Sequence, residues 1–287
     1  MKAHVSESIA KVIFGVAAGV SILAVALICV FLFANGLPAI GQIGLGNFIF
    51  GTEWRPANDI YGIFPMIVGS ICVTLGALIL GVPVGLFCAI FLSKFAGPRM
   101  QKVIMPGVQL LAGIPSVVYG FFGLVVIVPW LRGVFHVQGM SILAASIVLG
   151  IMILPTIITT AKNSIDAVPQ SYYEGSLALG ADHERSVFRI MVPAAVSGIM
   201  SGVVLGLGRA IGETMAVVMV AGNQVQIPNS VLDGVRTLTT NVVLEMGYAA
   251  DLHREALIAT AVVLFVFILI INLGFAILKA RSGKHAS

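Results

Sequence analysis

The sequence predicts an all-α, polytopic membrane protein with six transmembrane helices and cytoplasmic N and C termini. Three observations carry this reading. Hydrophobic residues make up 59% of the 287 and charged residues only 10%, with a mean hydropathy of +1.06, outside the range of a water-soluble domain. Apolar stretches recur that are long enough to cross a hydrocarbon layer roughly 30 Å thick, which takes about 20 helical residues at about 1.5 Å each. Lys and Arg collect in alternate connections, which sets the orientation.

The first span runs from about Val12 to Phe33. Lys2 and Lys11 precede it, as in a secretory signal, but its apolar stretch is about twice a signal core and no clear small-residue cleavage site follows, so an uncleaved helix is expected. The second runs from Ile63 to Leu92, the third from Val103 to Trp130 and the fourth from Ser141 to Thr160. The fifth covers Ala194 to Ala221 and the sixth Ala256 to Leu278. Pro65 and Pro83 interrupt the second, Pro106 and Pro115 the third, and Pro155 the fourth; each removes a helical hydrogen bond and bends its helix. Carbonyls freed at membrane depth must face protein or a water-filled cavity, so these kinks serve either packing or a transport pathway.

Of the sixteen Lys and Arg residues, eleven fall on one side: Lys2, Lys11, Lys94, Arg99, Lys102, Lys162, Arg185, Arg189, Lys279, Arg281 and Lys284. Arg55, Arg132, Arg236 and Arg254 fall on the other, and Arg209 lies inside the fifth span. Both termini are therefore expected in the cytoplasm. The net charge of +4 and pI near 9.1 do not indicate nucleic acid, since the basic residues are spread through loops rather than clustered on a soluble face; membrane lipid is the expected surrounding. Cys29, Cys72 and Cys88 lie in apolar stretches without paired spacing and read as packing residues. His136, His183 and His253 sit in loops without metal spacing, so no metal site is expected.

Two external segments are long. Ala34 to Gly62 is rich in Gly and carries Trp54 and Tyr61, aromatics suited to a membrane interface or to receiving a soluble partner. In Gly222 to Glu255, the stretch Val231 to Met246 is apolar enough for a short helix lying on or dipping into the bilayer.

The cytoplasmic stretch from Ala161 to Val192 is longer than a turn and carries helix punctuation. Pro169 suits a first helical position and Gly180 a C-terminal cap, predicting a short helix from about Pro169 to Leu179. A second helix should start after Asp182, a good N-cap, and stop before Pro193. With Leu177, Leu179, Val187, Ile190 and Met191 as apolar positions, the pair forms either a protrusion that docks in a groove on another protein or an amphipathic hairpin on the membrane.

Glu174-Gly175-Ser176, three residues to Gly180, nine more to Ile190, and Val192-Pro193 resemble the signature of ABC-importer permeases. That family's pattern is Glu-Ala-Ala, three residues, Gly, nine residues, Ile, one residue, Leu-Pro. The spacing agrees throughout, with Gly175, Ser176 and Val192 as the departures. The resemblance implies the type I importer permease fold, and a coupling helix at 169–180 in which Glu174, Gly175, Ser176 and Gly180 engage the ATP-hydrolysing subunit. It implies a first helix with its external loop over 1–62, a permease transmembrane domain over 63–278 and a cytoplasmic tail over 279–287.

Further stretches are similar to the phosphate-specific importers, and more to their PstC-type permeases than to the PstA type. These are Trp54-Arg55-Pro56 with Tyr61-Gly62-Ile63-Phe64-Pro65, Gly113-Ile114-Pro115-Ser116-Val117-Val118-Tyr119-Gly120, and Gly208-Arg209-Ala210-Ile211-Gly212-Glu213-Thr214-Met215-Ala216-Val217. The likeness implies half of a phosphate translocation pathway in a prokaryotic inner membrane. It implies a PstA-type permease as partner, two PstB-type ATPase subunits that use ATP and Mg, and a PstS-type phosphate-binding protein. A permease for sulfate or molybdate is the nearest rival.

Arg209 and Glu213 carry the chemistry legible without any family. At about 100° per residue, Gly198, Gly202, Gly206, Arg209 and Glu213 fall within an arc of about 80°, so one face holds both charges and the small residues that let a neighbouring helix approach. Ionisable groups in a span face the bundle interior or a polar pathway. Spaced four apart, the two are expected either to form an internal ion pair that fixes packing, or to work together, Arg209 offering a forked donor to a passing oxyanion and Glu213 neutralising it between transport events. Ser70, Thr74, Ser116 and Tyr119 are candidate polar lining without an assigned role.

Enzymes are excluded on this reading, since no His or Asp lies in a span and neither Gly-x-Ser-x-Gly nor His-Glu-x-x-His occurs. No phosphate-cradling Gly-Lys-Ser/Thr loop occurs, so no ATP is expected on this chain and the ATPase is another polypeptide. A secondary transporter would show repeated topology in two halves, and no such repeat is seen.

Overall fold

A computed structural model describes the backbone of residues 2–283 and the side chains of residues 10–277. Lys284 and the side chains of Lys2, Lys279 and Arg281, counted above for orientation, lie outside the described residues. Helices Ala10–Ile43, Phe64–Phe95, Ser116–Phe135, Ile142–Asp166 and Asp251–Ile277 are long and apolar enough to cross a membrane, and the pair His183–Ala194 with Val196–Gly212 is so only when the two are taken together across a 68° bend.

The chain opens with α1 (Lys2–Ile43) and α2 (Leu45–Phe50), then a hairpin of β1 (Trp54–Arg55) and β2 (Ile60–Tyr61), which sets Trp54 opposite Tyr61. Helix α3 (Phe64–Ile90) starts with Pro65 in its first turn, where a missing N–H costs nothing. It ends in a π-turn, Phe91–Phe95. Helices α4 (Pro98–Gly113), α5 (Ser116–Phe122) and α6 (Val128–Phe135) follow, with a π-turn at Gly123–Ile127 between the last two. Helix α7 (Ile142–Asp166) is capped by Ser141, whose Oγ accepts from the Ala144 N–H at 3.2 Å. The cytoplasmic hairpin comprises α8 (Gln170–Ala178), α9 (His183–Ser186), a π-turn at Val187–Met191 and α10 (Val192–Ala194). Helices α11 (Val196–Gly212), α12 (Met215–Val220), α13 (Leu238–Glu245) and α14 (Asp251–Gly283) complete the fold.

Helix α7 is the centre of the bundle, held between two helices that approach it along glycines. Gly81 and Gly85 of α3 lie so close to Gly150, Ile153 and Ile157 that an added Cβ would sit 2.8–2.9 Å from them. Gly198, Gly202 and Gly206 of α11 lie against Ser164, Thr160 and Ile157 on another side of α7. The glycine face predicted for the fifth span is thus a packing face. Helix α1 joins the bundle at its external end, where Gly36 meets Ala259 and Val262 of α14. Most of its apolar side chains, among them Val12, Phe14, Ile22 and Val30, remain exposed, as lipid-facing residues are. The core forms an external layer around Phe48, Trp54, Met66 and Leu257, a central one around Leu149, Ile153 and Val217, and a cytoplasmic one around Ile165, Val187 and Ile199.

Three expectations are corrected. The predicted third span, Val103 to Trp130, is two helices, because Pro115 forces Ile114 out of the helical region (ψ 126°), and the crossing is made by Ser116–Phe135 instead. The predicted fifth span breaks at Glu213 and Thr214, between α11 and α12. The second cytoplasmic helix does not stop before Pro193, which sits in the first turn of α10; the bend comes at Ala195. The external stretch expected to hold a short apolar helix does so at α13, whose N-terminus is closed by a capping box of Thr237 and Thr240.

Candidate functional site

Arg209 lies in the last turn of α11, half-buried, three residues before the helix ends. Glu213 leaves the helix with an extended backbone (φ −71°, ψ 131°), so the four-residue spacing no longer places it over Arg209. The expected ion pair is not formed. The Glu213 carboxylate turns instead to the start of α12, where Oε1 accepts from the Ala216 N–H at 3.2 Å. Among the described residues the Arg209 guanidinium has no salt bridge and no side-chain hydrogen bond.

Both broken spans satisfy freed backbone with hydroxyls. The Tyr119 hydroxyl donates to the Leu111 carbonyl at 2.7 Å across the Ile114–Pro115 break, and the Thr239 hydroxyl donates to the Glu213 carbonyl at 3.1 Å. Ser70 accepts from the Leu238 N–H at 3.0 Å and so belongs to packing. Gly113, Gly208 and Gly212 have open space where a side chain would stand. A guanidinium exposed to lipid is costly, about 2.5–3.5 kcal/mol on insertion scales, so such a group faces protein or a polar path.

Sequence reasoning missed an external cluster centred on Glu245, at the end of α13. The residue is 6% exposed, and its carboxylate accepts from Trp54 Nε1 at 2.8 Å and Arg236 at 2.6 Å, with His253 Nε2 at 2.9 Å. Arg236 also donates to the Asn223 carbonyl and to Asn241 Oδ1, each at 3.1 Å. Burial alone pushes the Glu245 carboxyl up, but the bonds from Trp54, His253 and Arg236 and the guanidinium charge outweigh it and hold it below the usual carboxylate range. Trp54 lies 191 residues from Glu245, a separation at which a single sequence gives no pairing signal. The aromatic pair Trp54 and Tyr61, at 5.5 Å between ring centres, is thereby part of the protein's external core rather than a lipid-facing belt.

On the cytoplasmic side, α8 spans most of the predicted short helix, with Pro169 just before it and Gly180 at φ 86° just after. Asp182 caps α9 by accepting from the Arg185 N–H at 2.7 Å. Glu174 and Gly175 are exposed, whereas Ser176 is buried and donates to the Tyr173 carbonyl at 2.7 Å. Of the apolar positions named in this hairpin, Leu179 is 91% exposed and Leu177 and Ile190 are exposed with it, whereas Val187 and Met191 are fully buried.

The family model for "binding-protein-dependent transport system inner membrane component" matches residues 81–284. The chain is 40% identical to the probable ABC transporter permease protein YqgH of Bacillus subtilis over 85% of this chain and 83% of that one. It is 32% identical to the phosphate transport system permease protein PstC of Mesorhizobium japonicum, over 85% and 81%, and 30% identical to the probable PstC of Methanocaldococcus jannaschii, over 91% and 90%. Among solved structures it resembles the MetNI methionine ABC transporter (TM-score 0.58, 17% identity, 77% of this chain and 94% of that). It also resembles a bacterial ABC transporter that imports alginate (TM-score 0.59, 15% identity, 94% and 99%). At these identities the two structures share the fold.

Proposed function

The chain belongs to the family of binding-protein-dependent transport system inner membrane components, and we propose that it is one permease subunit of an ATP-driven importer of inorganic phosphate. It forms half of the translocation pathway and opens it alternately to either side. The chain is not itself an enzyme: ATP and Mg are used by two PstB-type subunits, a PstA-type permease supplies the other half, and a PstS-type protein delivers phosphate from outside. Its place is the inner membrane of a prokaryote, crossed several times.

The observation that carries this reading is the unpaired Arg209 guanidinium in the open wall beside Gly208 and Gly212. Its planar fork matches a tetrahedral oxyanion, and no carboxylate among the described residues pairs with it, so its N–H groups can donate to one. Glu213 acts here by capping α12 rather than by neutralising Arg209 between events. The exposed face of α8, with Glu174, Gly175 and Leu179, is the surface offered to the ATPase, while Ser176 and Gly180 shape the turn behind it.

The test is ATP-dependent uptake of labelled phosphate, sulfate and molybdate by the complex reconstituted in liposomes, for wild type and Arg209→Lys. Phosphate-selective uptake that is lost in an assembled variant supports the reading. Uptake of another anion instead overturns the cargo, and unchanged uptake in the variant removes Arg209 from the pathway.

A further inference from the structure

The short α8 has little hold on the rest of the protein. Only Ser176 of its nine residues is buried, and Glu174, Gly175 and Leu177 are exposed, as is Leu179 just beyond. A push on such a helix would be lost in rocking about its two chain connections unless side chains brace it.

One brace stands in the structure. The Tyr173 hydroxyl of α8 is hydrogen-bonded to His183 Nδ1 of α9 at 2.8 Å. The His183 ring meets Phe95 edge to face, 4.8 Å between centres. Phe95 closes the π-turn at the cytoplasmic end of α3, and its ring also lies 6.2 Å from Phe188, in the second cytoplasmic π-turn. The first π-turn is fixed to α7 from its other side: Ser93 Oγ donates to Asp166 Oδ1 at 2.5 Å, and Asp166 Oδ2 pairs with Lys162 at 2.6 Å. His183 is itself held in place by the Asp182 cap one residue before it. Wide π-turns are rare and recur at functional positions, and here two of them each supply an aromatic ring to one joint.

We propose that Tyr173, His183 and Phe95 form the joint through which displacement of α8 reaches α3 and α7, with His183 as its positioning residue. This rests on the permease reading, in which α8 receives the movement of an ATPase. The joint converts a hinge at Gly180 into a rigid corner, so that the hairpin and the end of α3 move together. It touches neither cargo nor nucleotide.

The experiment measures ATP hydrolysed per phosphate imported in the reconstituted complex with its PstA-, PstB- and PstS-type partners, for wild type, His183→Ala, His183→Asn and Tyr173→Phe. Losing one ring contact and one hydrogen bond is expected to raise the ratio about tenfold in His183→Ala, hydrolysis continuing while uptake falls. Asn keeps a hydrogen-bonding atom near the Nδ1 position and should recover part of the coupling; Tyr173→Phe, which deletes a single hydroxyl, should give an intermediate ratio. If His183→Ala fails to assemble, Tyr173→Phe decides the matter. An unchanged ratio in assembled variants overturns the joint alone, whereas a wild-type complex that imports no phosphate with ATP overturns the permease reading and the joint with it.

Discussion

Glu245→Ala removes the one carboxylate on which Trp54, Arg236 and His253 converge. Breaking a buried ion pair by deleting one partner costs about 3–5 kcal/mol, because the remaining charge is left without compensation. Arg236 is 17% exposed and keeps its bonds to the Asn223 carbonyl and Asn241 Oδ1, which favours the low end, about 3 kcal/mol. At about 2–4 °C per kcal/mol for a chain of this size, the melting temperature should fall by about 6–12 °C. The assay is thermal unfolding of the purified protein in detergent or nanodiscs, with Glu53→Ala as control. Glu53 pairs with Arg55 at 3.4 Å, but the two side chains are 53% and 63% exposed, and a pair so placed is worth about 0–1 kcal/mol. Equal shifts in the two variants, or a fall of less than about 2 °C for Glu245→Ala, would refute the argument from burial.

The same carboxylate gives a pH dependence. Its folded-state pKa lies below the ordinary value of 4.5, so its stabilisation is present above that value and is lost as pH falls through the folded pKa. Unfolding temperatures measured downward from about pH 5 should therefore drop more steeply in wild type than in Glu245→Ala. Gly81→Leu places a side chain where even a Cβ would lie 2.9 Å from the Gly150 carbonyl and from Ile153, and overpacking of this kind costs about 1–3 kcal/mol; reduced thermal stability, or failure to accumulate in membranes, is expected. Leu179→Asp alters a side chain that is 91% exposed, so the isolated chain should melt within about 2 °C of wild type while co-purification with the ATPase subunit is lost.

Legibility of the fold followed the range of the forces that make each element. The spans are set by composition over about 20 residues, and four of the five single crossings lie where apolar stretches predict them, the third being displaced to Ser116–Phe135. The cytoplasmic hairpin is set by Pro169, Gly180 and Asp182, local punctuation that acts within one turn, and α8 and α9 begin and end close to those residues. Pro115 was legible as an interruption but was read as a kink; only the position of α4, packed through Val108 against Leu92 and Ile158, makes it the boundary between two helices. The external cluster was illegible because Arg236, Glu245 and His253 meet only through the turns at the two ends of α13, and Trp54 reaches Glu245 from 191 residues away.

The site divides along the same line. The glycine face and Arg209 on α11 follow from helical spacing alone, and α11 keeps that spacing from Val196 to Gly212. The pairing of Arg209 with Glu213 required the helix to persist one residue further. Gly212 weakens it there, but the carbonyl freed at Glu213 is satisfied by Thr239, 26 residues on, at the start of a helix whose own position depends on Ser70 and on the Glu245 cluster. The external segment thus supplies a partner for the backbone freed where α11 ends. With α11 ended, the Glu213 carboxylate caps α12 instead of closing over Arg209. Thr239→Val, which deletes the hydroxyl that the Glu213 carbonyl accepts from, should therefore lower thermal stability by about 0.5–1.5 kcal/mol, read as a fall of a few degrees in the melting temperature.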